Sequence, residues 1–279
     1  MYLYGNTQLP SLSDKFLYHF TTAESLFKII ENMTLKLSSF ENLNDLNEKE
    51  VNFSFQDWWD GLKIEKFILE NCRVISFSQN FQFEDSICEV GCNHPRMWAQ
   101  YADKNKGACV VINEEKFIDK NKSVLDKTFW KIENVLYKPY LYNGDPTNTN
   151  DPKDFVENNY KKIFFEKHND WKQEGERRLF CIGKTEFLSI DNCIEFVCLG
   201  SKFGNENYNS LAEILISSME REHTKLIPHD FTFQVNADGR CLTMDNAFRI
   251  VKSVENKGNK ANKYLSYLNS NGYDIQLID

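Results

Sequence analysis

Nowhere does the chain run eighteen consecutive apolar residues, so no membrane-spanning helix is expected and no membrane partner is assigned. The opening MYLYGNTQLPSLSDKF has no basic region followed by an apolar run, so a secretory leader is not expected either and the cytoplasm is the expected location. Phosphate-cradling glycine loops are also missing. No G-x-G-x-x-G follows a strand and no G-x-x-x-x-G-K-S/T occurs, which leaves the Rossmann and P-loop readings unsupported. A G-x-S-x-G elbow is absent, no cysteine has a histidine suitably near it for a nucleophilic pair, and no internal repeat of solenoid period is found. Positive charge is in short supply: 33 Lys and Arg stand against 41 Asp and Glu, a net −8. Affinity for nucleic acid rests on clustered cations, so the acceptor or partner is expected to be a protein or small molecule before a nucleic acid.

What is present suffices for a well-filled core. The 279 residues are 41% hydrophobic and 14% aromatic, and one α+β domain over 1–279 is expected, with the stretch from about 208 as a candidate C-terminal extension. Eight cysteines are spread unevenly, several inside apolar runs such as ACVVI, LFCI and FVCLG. Buried free thiols fit that placement better than a disulfide framework. In CEVGCNH, Cys88, Cys92 and His94 offer three zinc ligands, but no second clustered pair completes the usual four and no metal is expected.

Helices and strands alternate without the regularity of βαβ units. TTAESLFKIIENM predicts a helix capped by Thr21, with Glu24 three residues on to complete a capping box, and LKLSS a short strand after it. FSFQDWWDGLKIEKFILENC predicts one or two helices, RVISFS a central strand, QNFQFEDSICEVGCNH a polar loop, and PRMWAQYADKNKG a helix opened by Pro95. ACVVI is expected to be buried on both faces, and YNGDPTNTNDPKD is the strongest linker. DFVENNYKKIFFEKHNDW predicts an amphipathic helix. RRLFCIG, EFLSI and CIEFVCLG predict an antiparallel run with short turns, followed by a helix from Tyr208 to about His223, a strand FTFQV and a polar tail. The sum is an α+β fold around a largely antiparallel, split sheet.

Three segments carry candidate chemistry. Glu174 and Glu176 flank Gly175 in WKQEGERRLF, on a turn that leads into a strand. A fixed carboxylate stabilises oxocarbenium charge as a glycosidic bond breaks, although a charged turn beside Arg177 and Arg178 also suits plain ion pairing. His19, in YHFTT, precedes a helix N-terminus where a ring nitrogen can donate to a hydroxyl and the backbone N–H groups of Thr21 and Thr22 can meet an anion. Ser76, Phe77 and Ser78 lie mid-strand in VISFS; Trp98 and Tyr101 fall three apart on one helical face, the spacing of a core stripe; Asn44 and Asp45 occupy a polar loop.

The order His, Ser/aromatic strand, Glu-x-Glu turn resembles the ADP-ribosyltransferase superfamily. That resemblance implies NAD as the substrate and cofactor, His19 as ribose anchor, Glu176 as the carboxylate at the nicotinamide ribose and Glu174 as the group that orients the nucleophile. It further implies that Phe77, or else Trp98 or Tyr101, stacks on nicotinamide, with Ser76 or Ser78 supporting Glu176, and that these groups converge on one concave site. Phe77 departs from the tyrosine of the His-Tyr-Glu pattern. A toxin or phage-defence role, with an inhibitor or antitoxin as partner, comes from the same likeness. Separately, LYHFTTAESLFKIIENMTLKLSSFENLND, RMWAQYADKNKGACVVI, WKQEGERRLF and IEFVCLG succeed one another as in the bacterial family named domain of unknown function 2971. Two alternatives to an enzyme acting on NAD remain: a non-catalytic module whose aromatic-rich cleft binds a nucleotide or protein, and a metal-dependent nuclease, against which the acidic balance counts.

Overall fold

The computed structural model describes residues 15–40, 58–83, 86–89, 91–139, 151–218, 231, 233–235, 241–243, 246–255, 262 and 264–266. In chain order the elements are β1 (Phe16–Thr21), α1 (Ala23–Asn32), β2 (Thr34–Lys36), α2 (Trp58–Asn71), β3 (Cys72–Ser78), β4 (Phe81–Phe83), β5 (Ser86–Glu89), α3 (Pro95–Gln100) and β6 (Ala108–Asn113). There follow α4 (Glu114–Leu125), β7 (Phe129–Asn134), β8 (Leu136–Lys138), α5 (Pro152–Phe164), β9 (Glu166–His168), β10 (Glu176–Ile182) and β11 (Phe187–Ser189). The series closes with β12 (Ile194–Gly200), α6 (Asn205–Ser218), β13 (Phe233–Val235), β14 (Cys241–Thr243) and α7 (Asn246–Glu255). The fold is α+β, as expected, and its long ladders are antiparallel; β12 with β13 and β8 with β9 are parallel.

Two compact units share this chain, each assembled from separated segments. One is built from Met1–Thr34, Asn80–Phe117 and Ile190–Asp279, the other from Leu35–Gln79 and Ile118–Ser189.

In the first unit the strands run β14, β13, β12, β6, β1. Strand β6 is paired along both edges, with β1 and with β12, which is why ACVVI is apolar throughout. On one face Phe16, Tyr18 and Phe20 of β1 join Cys109, Val111, Phe196 and Cys198, with Met97, Trp98 and Ala102 laid over them. Helix α1 buries Leu26, Ile29 and Ile30 and packs on β6 and α6. Its cap is Thr22, whose hydroxyl accepts from the Ser25 N–H, and not Thr21. Thr21 is still strand, so the cap falls one residue later than the sequence suggested, and exposed Glu24 pairs with Lys28 one turn on instead of closing a capping box.

The second unit carries the run β3, β10, β7. Ile64 and Ile68 of α2, Phe155, Val156 and Phe164 of α5, and Cys72, Val74, Phe180 and Ile182 form its core, where Phe164 stacks on Phe180 at 4.1 Å between centroids. Strands β10, β11 and β12 do not form the expected antiparallel run: β10 pairs with β3 and β7, β11 with β2, and β12 with β6 and β13. Nearness in sequence is overridden because β10 and β12 are each flanked on both edges by strands distant in the chain. The segment read as a polar loop holds the β4–β5 hairpin, and within the C-terminal stretch read as tail α7 buries Ile250 and Val254 and packs on α6. Helix α5 stops at Phe164, earlier than expected, and the chain continues into the short strand β9, which carries Lys167. Most of the linker candidate, together with Asn44 and Asp45, lies outside the described residues.

Candidate functional site

A period of two on β10 sets the geometry. Glu176, Arg178, Phe180 and Ile182 share one face, and across the ladder Glu176 faces Ser78 while Arg178 faces Ser76. One end of this face is the apolar core; the other is a cluster of charged groups. Gly175, at φ 52°, supplies the left-handed turn between the 3₁₀ segment Asn169–Glu174 and the strand, which sets Glu174 and Glu176 beside each other. Strand β3 clamps that turn: the Ser78 hydroxyl donates to the Glu174 carbonyl at 2.8 Å and the Gln79 N–H to the Gly175 carbonyl at 3.1 Å.

Four ionisable side chains meet there almost out of solvent: Lys167, Glu174, Glu176 and Arg178 are 5, 3, 4 and 1% exposed. The Lys167 ammonium lies 2.7 Å from Glu174 Oε2 and 3.2 Å from Glu176 Oε2, bridging the two carboxylates. Glu176 Oε1 accepts from Arg178 Nε at 2.6 Å and from the Ser76 hydroxyl at 2.6 Å. Arg178 Nη1 donates to the Phe164 carbonyl at 2.7 Å, the Glu176 N–H donates to the Tyr137 hydroxyl at 2.9 Å, and the Trp171 ring lies 4.9 Å from the Lys167 ammonium. Two cations offset two anions, which is what makes burial of all four tolerable. Burial pushes the Glu176 carboxyl up, but the Arg178 guanidinium, the Lys167 ammonium and the hydrogen bonds from Arg178 and Ser76 outweigh it and hold it down at about 2. At neutral pH Glu176 is therefore a fixed anion, and one of its partners, Ser76, is exposed.

The expected residues are divided between the two units. Ser76, Ser78, Glu174 and Glu176 come together in the second unit; Ser76 supports the Glu176 carboxylate, and Ser78 supports the turn. Phe77 is buried opposite Arg177, on the strand face away from Glu176. In the first unit His19 is half-buried in β1, on the face opposite Tyr18, two residues before Thr21 and three before the exposed cap Thr22. Trp98 is 1% exposed, its indole N–H donating to the Cys92 carbonyl at 2.6 Å and its ring edge-on to Phe20 at 5.3 Å. Tyr101 packs on the same cluster, so this pair follows the core spacing. The six described cysteines are buried thiols; the side chains of Cys88 and Cys241 are outside the described set. Among the described residues no group of three or more His, Cys, Asp and Glu is arranged to hold a metal ion.

Sequence reasoning missed Lys167 and Tyr137. Both lie on the short parallel pair β8–β9, where Tyr137 faces Lys167, and three-residue strands leave almost no periodicity to detect. Lys167 sits seven residues before Glu174 in the chain, a separation at which neither helix nor strand spacing suggests a meeting.

The family described as protein of unknown function (DUF2971) matches residues 97–179, from α3 to the first half of β10 and including both glutamates. The match agrees with the likeness drawn from RMWAQYADKNKGACVVI and WKQEGERRLF, over a shorter span than the motifs covered. No curated protein and no solved structure matches the chain.

Proposed function

We propose that this protein cleaves the nicotinamide–ribose bond of NAD, transferring ADP-ribose to an acceptor or to water, with Glu176 as the carboxylate at the reacting ribose. The observation that carries the proposal is the state of Glu176: ionised at neutral pH, immobilised by Arg178 and Lys167, and touched on Oε1 by the hydroxyl of exposed Ser76. A preorganised anion of that kind is suited to developing oxocarbenium charge, because nothing has to reorient as the bond breaks. A substrate ribose hydroxyl can take the place that the Ser76 hydroxyl holds. Glu174, beside it, is the group that directs the incoming nucleophile. Phe77 faces away from Glu176 and is left out of the nicotinamide contact. The toxin or phage-defence setting, with a cognate inhibitor, follows from the superfamily likeness and belongs to the same proposal.

A second reading draws on the charge balance of the cluster. Four buried charges that cancel pairwise can be fold determinants in a non-catalytic nucleotide- or protein-binding module, since removing one partner of such a set costs about 3–5 kcal/mol. The two readings separate on incubation of the pure protein with NAD, followed by chromatography for nicotinamide and ADP-ribose. The proposal expects stoichiometric nicotinamide on repeated turnover; NAD recovered intact in the presence of candidate protein and small-molecule acceptors supports the module instead.

A further inference from the structure

We propose that Lys167 is a positioning residue that holds Glu174 and Glu176 side by side as two fixed carboxylates, so that one faces the bond to be broken while the other faces the acceptor. Its catalytic consequence rests on the NAD-cleaving reading above; its structural consequence does not.

The Lys167 ammonium reaches both carboxylates, at 2.7 Å and 3.2 Å, and Arg178 reaches Glu176 through Oε1. The ammonium addresses Oε2 of each glutamate, so Glu176 is gripped from two sides and cannot swing toward Glu174. The lysine itself is fixed from below. Strand β9 is paired in parallel with β8, which sets Tyr137 opposite Lys167, and the Tyr137 hydroxyl accepts the Glu176 N–H. Trp171 lies against the ammonium from the 3₁₀ segment that ends at Glu174. Flanking side chains are engaged elsewhere, Glu166 with Lys138 and the His168 ring with Asp170. The groups facing the pair include the cations Lys167 and Arg178 and the phenol of Tyr137, which burial holds well above its usual range.

Removing the lysine charge changes the problem that the two glutamates pose. With Arg178 alone, two neighbouring buried carboxylates share one cation, which favours a proton on one of them. A glutamate that carries that proton no longer stabilises positive charge, and a glutamate released on its Oε2 side no longer keeps its direction.

The test compares Lys167→Met and Lys167→Arg with the parent by carboxyl-carbon NMR of glutamate-labelled protein, titrated from pH 8 to pH 3, with nicotinamide release from NAD measured over the same range. Lys167→Met is expected to raise the Glu176 carboxyl titration by about 1 pH unit or more, into a window where the parent's Glu176 stays ionised, and the NAD rate to acquire an acid limb that the parent lacks; Lys167→Arg, which keeps the charge, is expected to stay near the parent in both. A purely structural lysine would lower the melting temperature without bringing a Glu176 titration into this window, and a Glu176 carboxyl that stays ionised down to pH 3 in Lys167→Met overturns the proposal. Should Lys167→Met not fold, Lys167→Met with Glu174→Gln restores the charge balance: Glu176 is expected to stay ionised down to pH 3 there, and a Glu176 titration above pH 3 overturns the proposal as well. A carboxyl shift without NAD cleavage in any of the proteins supports the positioning role and counts against the NAD reading alone.

Discussion

Glu176 shows how a residue can be legible in type and illegible in circumstance. Its turn beside a strand could be read from EGERRLF, but the strand begins at Glu176 itself and not at Arg177. Lys167, Tyr137 and Ser76 come from three other strands, and no local spacing announces them. The consequence is a pH dependence with a definite sign. The carboxyl titrates at about 2 in the folded chain, against about 4.3 for an unperturbed glutamate. A depressed folded value means the unfolded state binds more protons, so this contribution is fully present above about pH 5 and is lost as pH falls toward 2. His94, in the first unit, has its imidazole lowered to about 4 by burial. Its unfolded value is about 6.5, so the stability of its neutral form is lost earlier, as pH falls from about 6.5 to about 4. Thermal unfolding followed through resolved amide signals at pH 7, 5 and 3 is expected to weaken the segment around His94 before β10. Earlier loss of the β10 amides would contradict these assignments.

At the scale of elements, long and strongly patterned pieces were readable and their ends and partners were not. The β6 and β3 runs, α1 and the α5 core face follow directly from apolar spacing, whereas β8 and β9 are too short to show a pattern and α7 was hidden by a polar composition whose Ile250 and Val254 still fall one turn apart. The α1 cap moved by one residue because β1 keeps Thr21 in its ladder with Ala108. Close packing reinforces that junction: a Cβ on Gly107 would sit 2.1 Å from the Thr21 carbonyl, which only glycine avoids. Thr22→Ala is therefore expected to lower stability by about 1 kcal/mol while Thr22→Ser leaves it nearly unchanged. Chemical denaturation of the two variants decides the point, and equal losses in both would remove the hydroxyl cap from the account.

For the whole molecule, composition spoke plainly and topology did not. A net charge of −8 and an aromatic-rich core were legible at once, and among the described residues no helix is long and apolar enough to cross a membrane. Division into two units, each threaded from separated segments, was not legible, because strands adjacent in sequence pair with distant ones and hydrophobic patterning does not encode partners. The functional claim therefore comes down to one carboxylate. Glu176→Gln keeps shape while removing charge, and because it leaves Arg178 and Lys167 short of an anion it is expected to cost about 3–5 kcal/mol of stability. Its nicotinamide release from NAD is to be compared with the parent at a temperature well below both unfolding transitions, with NAD binding measured alongside. The account predicts retained binding and a rate lower by about 10²-fold or more; equal NAD cleavage by the folded variant and the parent would contradict it.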